Sequence, residues 1–196
     1  MFQVRIHGRG GQGVVTAAEL LSVAAFGDGH FAQAFPSFGS ERTGAPVMAF
    51  CRIDGGRIRT REPIVSPDAL IVLDATLLHQ VDLFSGVTPD GYVLLNSSRG
   101  FEELGLADML RSHSSQRLMA VPATELALTH TGRAVPNAVL LGGFAAMTGA
   151  VSLDAVVMAI RERFKGDVAE GNAAAATEAY GLVARQREVH SGAPTA

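Results

Sequence analysis

The stretch that most limits what this chain can fold into is residues 2–19, FQVRIHGRGGQGVVTAAE. An apolar run, Phe2–His7, leads directly into Gly8-Arg9-Gly10-Gly11-Gln12-Gly13, and good helix formers follow from Val14 to Ala25. A strand that turns through glycines into a helix is the opening of an α/β unit. Such a turn aims unpaired N–H groups outward at the positive end of the helix dipole, which makes it a place for an anion. The rest of the chain must say whose anion.

The remaining pattern continues the alternation. His30–Phe35 reads as a second strand, and residues 36–46, PSFGSERTGAP, as a long shaped loop. Val47–Ile53 and Arg57–Arg61 read as a hairpin across Asp54-Gly55-Gly56. Ala69–Asp74 and Tyr92–Asn96 are short, wholly apolar runs of the kind found inside a parallel sheet. A helical segment over Thr76–Phe84 lies between them. Phe101–His113 reads as helical and Arg117–Pro122 as a strand. The last third turns helical: Asn137–Thr148, Ser152–Phe164 capped by Ser152, and Gly171–Glu188, with a break at Gly166-Asp167. The Ala173–Ala176 run marks a helix that packs closely. The expected fold is a three-layer α/β/α sandwich, Rossmann-like, with a mostly parallel, mixed sheet and a helical C-terminal part. Residues 1–188 are expected to form one domain and 189–196 a flexible tail.

Composition narrows the function. With 47% hydrophobic residues in 196 the chain can bury a sizeable core. The net charge of −3, without a basic patch, gives no footprint for nucleic acid. The sixteen basic residues include a single lysine, Lys165. One cysteine, Cys51, is too few for an iron–sulfur cluster, a four-thiolate zinc site or an internal disulfide. Any redox centres this protein serves would therefore sit on another chain. The six histidines show no HxH or HxxxH spacing, and no GxSxG elbow is present. No apolar run approaches the ~18 residues of a membrane span, so a cytoplasmic protein with no membrane partner is expected.

Two stretches carry the candidate site. A dinucleotide-binding turn would want an acid at the end of strand two, but HFAQAF holds none before Glu41, inside the following loop. The P-loop pattern fails too, because no Lys-Ser/Thr pair follows the last glycine. The loop Pro36–Pro46 offers Ser40, Glu41, Arg42 and Gly44, and in a parallel sheet it should join the glycine turn on one rim. Asp74 and Asn96 end their strands on the same side, where each is more simply a cap or turn residue. Three readings stay open on these grounds: a shared cofactor wall, an independent nucleotide-binding protein, or an interaction module whose glycine turn only permits close packing.

Taken together, IHGRGGQGVVTAAELL, FPSFGSERTGAPV and RAVPNAVLLGGFAAMTGAVSLDAVVMAIRERF, with the Asn172 helix, resemble the gamma subunit of pyruvate and related 2-oxoacid:ferredoxin oxidoreductases over nearly the whole chain. Pro36–Val47 is more similar to the pyruvate and branched-chain members than to the 2-oxoglutarate members, and Thr43 stands where many relatives carry a second Arg. The resemblance implies decarboxylation of a 2-oxoacid on thiamine diphosphate, electrons passed through iron–sulfur clusters to ferredoxin, and acyl transfer to coenzyme A. It implies that thiamine diphosphate, magnesium and the clusters belong to thiamine-binding alpha and beta subunits and a ferredoxin-like delta subunit or domain. It also implies that this chain is non-catalytic. Gly8, Gly10, Gly11, Gln12 and Gly13 would approach coenzyme A or the thiamine subunit. Ser40, Glu41, Arg42 and Gly44 would form the adjoining wall, with Asn137 beside it.

Overall fold

The computed structural model describes residues 1–37 and 43–191. Its described strands form one six-stranded sheet in the order β2-β3-β1-β4-β5-β6, with β1 Phe2–Arg9, β2 Phe31–Pro36, β3 Pro46–Asp54, β4 Ala69–Val72, β5 Tyr92–Asn96 and β6 Leu118–Val121. Strands β1, β4, β5 and β6 are parallel neighbours, while β3 runs antiparallel to both β1 and β2. The mixed α/β architecture is the one the sequence implies.

Alternation along the central strands divides the interior into two cores. Val4, Ile6, Ile71 and Leu94 face α1 (Val14–Gly27), α3 (Ala123–Thr131), α4 (Asn137–Thr148), α5 (Leu153–Arg163) and α6 (Gly166–Ser191). Leu70, Val72, Val93 and Leu95 face the other way, onto Leu77, Leu83 and Phe101. That second side is covered mainly by turns, a 3-10 turn at Ala75–His79 and the short α2, Ala107–Ser112. Helix α4 is buried all round: Asn137 through Met147 are all buried, consistent with its nearly uniform apolar sequence.

Several elements differ from the sequence reading, each for a physical reason. Residues 57–61 are not a strand, because both edges of β3 are already taken by β1 and β2. The Thr76–Phe84 helix shortens to the 3-10 turn Ala75–His79, beyond which the Leu83 and Ser85 carbonyls turn to accept from the Arg5 guanidinium. The Phe101–His113 segment is a run of turns and then α2, broken at Gly105-Leu106. Helix α3 follows Pro122 in a stretch with little apolar periodicity, and α6 starts at Gly166 and runs to Ser191. The Ser152 cap is present: its Oγ accepts from the Ala155 amide at 3.1 Å, while Asp28 accepts from the Ser152 amide and hydroxyl. No helix among the described residues is long and apolar enough to cross a membrane.

Candidate functional site

Strand β1 is where the chain's direction across the sheet changes. From β1 the chain passes through α1 to the edge strand β2, whereas β4 lies on β1's other side. Clefts at the carboxyl ends of such strands are where open α/β sheets bind ligands, and the glycine turn occupies that end.

The turn is locked from below by side chains. Gln12 Oε1 accepts from the Arg9 amide at 2.8 Å, and Gln12 Nε2 donates to Asp74 Oδ2 at 2.8 Å. The Arg9 guanidinium donates to the same carboxylate at 3.1 Å, to Thr76 Oγ1 at 2.7 Å and to the Gly44 carbonyl at 3.0 Å. Burial alone would raise the Asp74 pKa. Hydrogen bonds from Thr76 and Gln12, with the Arg9 charge, outweigh burial and hold it below the usual carboxylate range. Asp74 also caps the Thr76 amide, so it is both the turn residue expected and the anchor of the glycine loop. The signal that could have found this tie is an Asp closing the strand next to one that ends in Arg-x-x-Gln.

The upper face of the turn is backbone. Gly13 sits in the left-handed region at φ 75° as the N-cap of α1, with no side-chain cap and no acid in the first turn. The amides of Val14, Val15 and Thr16 thus lie in a first turn without intrahelical acceptors, the first helical bond being Ala17 N–H to the Gly13 carbonyl at 2.9 Å. A Cβ on Gly13 would fall 2.3 Å from Asn137 Nδ2, so only glycine fits there. Asn137, buried at the head of α4, donates to the Gly13 carbonyl at 3.4 Å and accepts from the Ala138 amide at 2.8 Å. It joins the heads of two helices.

The structure brings most of the expected residues together. Gly8, Gly10, Gly11, Gln12, Gly13 and Asn137 form one cluster. Gly44 joins it: the Gly10 amide donates to the Ala45 carbonyl at 2.9 Å and the Gly44 amide to the Gly10 carbonyl at 3.0 Å. Ser40, Glu41 and Arg42 lie outside the described residues. Asn96 is a structural link, donating to the Leu73 carbonyl and to Thr124 Oγ1. Two pockets flank the turn and share Gly11, Gly13 and Thr16. One, of about 270 Å³, adds Arg9, Val14, Val15 and Val47. The other, of about 210 Å³, adds Arg133, Asn137, Arg163 and Asn172, which come from separate parts of the helical third. No local sequence pattern marks that second group.

The described residues offer no metal cluster, and neither pocket beside the glycine turn is lined by a nucleophile with a base. No group of three His, Cys, Asp or Glu side chains is placed to hold a metal, and burial pushes the Cys51 thiol up to about 12. His7, on β1 two residues before Arg9, is buried with Nε2 unpartnered among the described residues. Burial first, then the Arg5 charge, holds it down at about 4 instead of 6.5. A base whose pKa falls on folding contributes stability that is lost as pH drops from about 6.5 toward about 4. Thermal melts at about pH 7 and about pH 5 should therefore show a smaller acid-induced drop in Tm for His7→Gln than for the wild type. Equal drops would exclude His7 as the group responsible.

Comparison with known proteins points to one family. The model of the family described as pyruvate ferredoxin/flavodoxin oxidoreductase matches residues 3–182. Pyruvate synthase subunit PorC of Methanothermobacter thermautotrophicus is 46% identical over 187 residues, covering 95% of this chain and 98% of the relative. The common gamma subunit of the pyruvate/ketoisovalerate oxidoreductases of Pyrococcus abyssi is 46% identical over 180 residues, covering 92% and 96%. The crystal structure of pyruvate oxidoreductase subunit PORC from Thermotoga maritima superposes with a TM-score of 0.77 at 35% identity, covering 92% of this chain and 95% of that one.

Proposed function

The chain belongs to the pyruvate ferredoxin/flavodoxin oxidoreductase family, and from that premise we propose that it is the gamma subunit of a thiamine-diphosphate-dependent 2-oxoacid:ferredoxin oxidoreductase of the cytoplasm. The substrate is pyruvate or a branched-chain 2-oxoacid, in keeping with relatives named for pyruvate and ketoisovalerate. Thiamine diphosphate, magnesium and the iron–sulfur clusters belong to the alpha, beta and delta partners. The one thiol of this chain, Cys51, is buried, and among the described residues no set of His, Cys, Asp and Glu side chains is placed to hold a metal. When bound on the partners, those groups supply decarboxylation and electron transfer.

What this chain contributes is binding and orientation. The observation that carries the reading is the glycine turn: a helix N-terminus with neither cap nor acid, rigidly braced by Asp74, Arg9 and Gln12, and open to a pocket on each side. Backbone amides there hold the diphosphate of coenzyme A, each charge-assisted bond contributing about 1.5–3 kcal/mol. Gly10 and Gly11 keep side chains off that surface, Gly8 and Gly13 let the turn pack against Val14 and Asn137, and Gln12 holds its shape from beneath. Ser40, Glu41, Arg42 and Gly44 form the wall facing the thiamine-binding partner, and Asn137 fixes the Gly13 carbonyl away from the phosphate.

Gly11→Val tests this. Gly11 stands at φ 96°, and a Cβ there meets nothing within 4 Å. The substitution therefore costs about 1–3 kcal/mol of local strain and covers the amides without touching the core. The expected result is an assembled complex whose KM for coenzyme A rises about tenfold or more while decarboxylation of the 2-oxoacid is retained. Unchanged use of coenzyme A would refute the reading. Loss of assembly would make the turn a packing element, the module reading instead.

A further inference from the structure

We propose that Arg57-Ile58-Arg59-Thr60-Arg61 is a docking strand for an acidic, extended segment of a partner subunit, which pairs along this backbone and sets its carboxylates against the three arginines. The proposal rests on this chain being one subunit of a multi-chain oxidoreductase, and not on the coenzyme A reading.

The sequence marks this stretch as a strand, yet within the chain it finds no neighbour, both edges of β3 being taken. Its strand character remains. Arg57, Arg59 and Arg61 are exposed while Ile58 and Thr60 are half-buried, the period-two alternation of an extended chain with one face on the protein body. Among the described residues, no backbone N–H or C=O of 57–61 takes a backbone hydrogen bond. An exposed row of unpaired backbone groups is a template for a strand from another chain.

The stretch is also held in place. On its downstream side two buried guanidiniums tie the chain to the sheet. Arg52, 3% exposed, donates to the Glu62 carbonyl at 2.5 Å, and Arg5 donates to the Ile64 and Val65 carbonyls at 3.5 and 3.2 Å. A segment tethered in this way loses less freedom on docking than a loose loop would.

Charge identifies the occupant. The outward row carries a positive charge at every second residue, about 7 Å apart in an extended chain. Among the described residues no carboxylate pairs with any of the three. The nearest acids along the chain are engaged elsewhere. Asp54 lies 3.7 Å from the N-terminal ammonium, and at Arg52 burial lowers the pKa while the Glu62 charge opposes it. Opposite charges facing each other across paired strands stabilise the pairing and like charges weaken it, so the matching strand carries Asp or Glu at alternate positions. Three guanidiniums in a chain of net charge −3 make no footprint for nucleic acid. Position separates this surface from the glycine turn: Gly8 lies opposite Val47 but Phe2 opposite Ile53, so the stretch leaves the sheet at the far end of β1, roughly 20 Å of strand away.

The test uses the purified complex with this chain in it. For Arg57→Gln/Arg59→Gln/Arg61→Gln, sedimentation at about 0.1 M salt should show the chain leaving its partners with an apparent Kd about tenfold higher than the wild type. The gap should close at about 1 M salt, where screening removes exposed pairs. The melt of the chain should not move. Arg57→Lys/Arg59→Lys/Arg61→Lys keeps the charges and should keep the wild-type affinity. It also maps the partner, because the chain's one other lysine is Lys165: carbodiimide links formed by this variant and absent from the wild type should join positions 57–61 to Asp or Glu side chains of one partner segment. A Gln variant that dissociates like the wild type overturns the proposal, as do links confined to this chain's own carboxylates. Nucleic acid that co-purifies with the wild type and is lost in the Gln variant assigns the arginines to phosphates and overturns it too. A wild-type chain that purifies without partners would instead overturn the subunit reading.

Discussion

Arg5→Met should lower the stability of the fold by about 3–5 kcal/mol, enough to drop Tm by roughly 10 °C in a chain of this size. Arg5 lies mid-strand in β1, 6% exposed, on the side of the sheet away from α1. Its Nη1 donates to the Ile64 and Val65 carbonyls at 3.5 and 3.2 Å, and Nη2 to the Leu83 and Ser85 carbonyls at 2.9 and 2.6 Å. No carboxylate salt-bridges it among the described residues, and burial lowers its pKa despite the nearby Asp82 charge. The charge is therefore solvated by four carbonyl dipoles from two irregular segments. Those segments also pack on one another, since a Cβ on Gly86 would overlap the Val65 carbonyl. Methionine fills a similar length but leaves the carbonyls buried without donors, each costing about 1–3 kcal/mol if water cannot reach it. Thermal melts measure the loss, and limited proteolysis should show first cuts in residues 57–66. Arg5→Lys should recover less than half, because a single ammonium cannot span both segments. A melt unchanged in Arg5→Met would remove this clamp from the account.

How much of this was legible in the sequence depends on whether the cause was local. The β1–turn–α1 unit, the apolar β4 and β5, and the Ser152 cap follow from short patterns, and the structure holds them where the sequence places them. So does the rim on which Gly44 meets Gly10. Strand order was not legible: nothing in 46–61 says that β3 will find both edges occupied and leave 57–61 without a partner. The same is true of Arg5, whose bonds span about sixty to eighty positions along the chain. In the site, the glycines could be read because backbone geometry imposes them. The Arg133–Arg163–Asn172 pocket could not, because only the packing of α3, α5 and α6 assembles it. Gln12 is a middle case: the sequence places it in the motif but does not show which way its side chain points. Its amide points down to Asp74 and Arg9, bracing the turn.

Gly142→Ala should be the most damaging single-methyl change in the helical third. Gly142 lies inside α4 and faces α6 so closely that a Cβ would sit 1.9 Å from the Ala176 carbonyl oxygen and 2.9 Å from its Cα. Both partners are backbone in the middle of helices, so neither can rotate away, and the two axes must separate. Helix α6 is committed on another side as well, where a Cβ on Gly171 would fall 2.5 Å from the His130 carbonyl at the end of α3. The Ala173–Ala176 run thus has a reason: Ala175 and Ala176 are fully buried because only small side chains allow this approach. Overpacking of this kind costs about 1–3 kcal/mol and sometimes more, against which alanine's better helix propensity returns about 1 kcal/mol. Rigid backbone on both sides puts Gly142→Ala at the upper end, a net loss of about 2 kcal/mol and a Tm lower by roughly 4–8 °C. The consequence reaches the site, because α4 begins at Asn137 against Gly13 and α6 carries Asn172. Coenzyme A binding at a temperature well below the melt should weaken with it, whereas Gly149→Ala, at an open αL position that ends the same helix, should cost stability without moving either pocket. If Gly142→Ala melts like the wild type, α4 and α6 do not meet as closely as the structure places them.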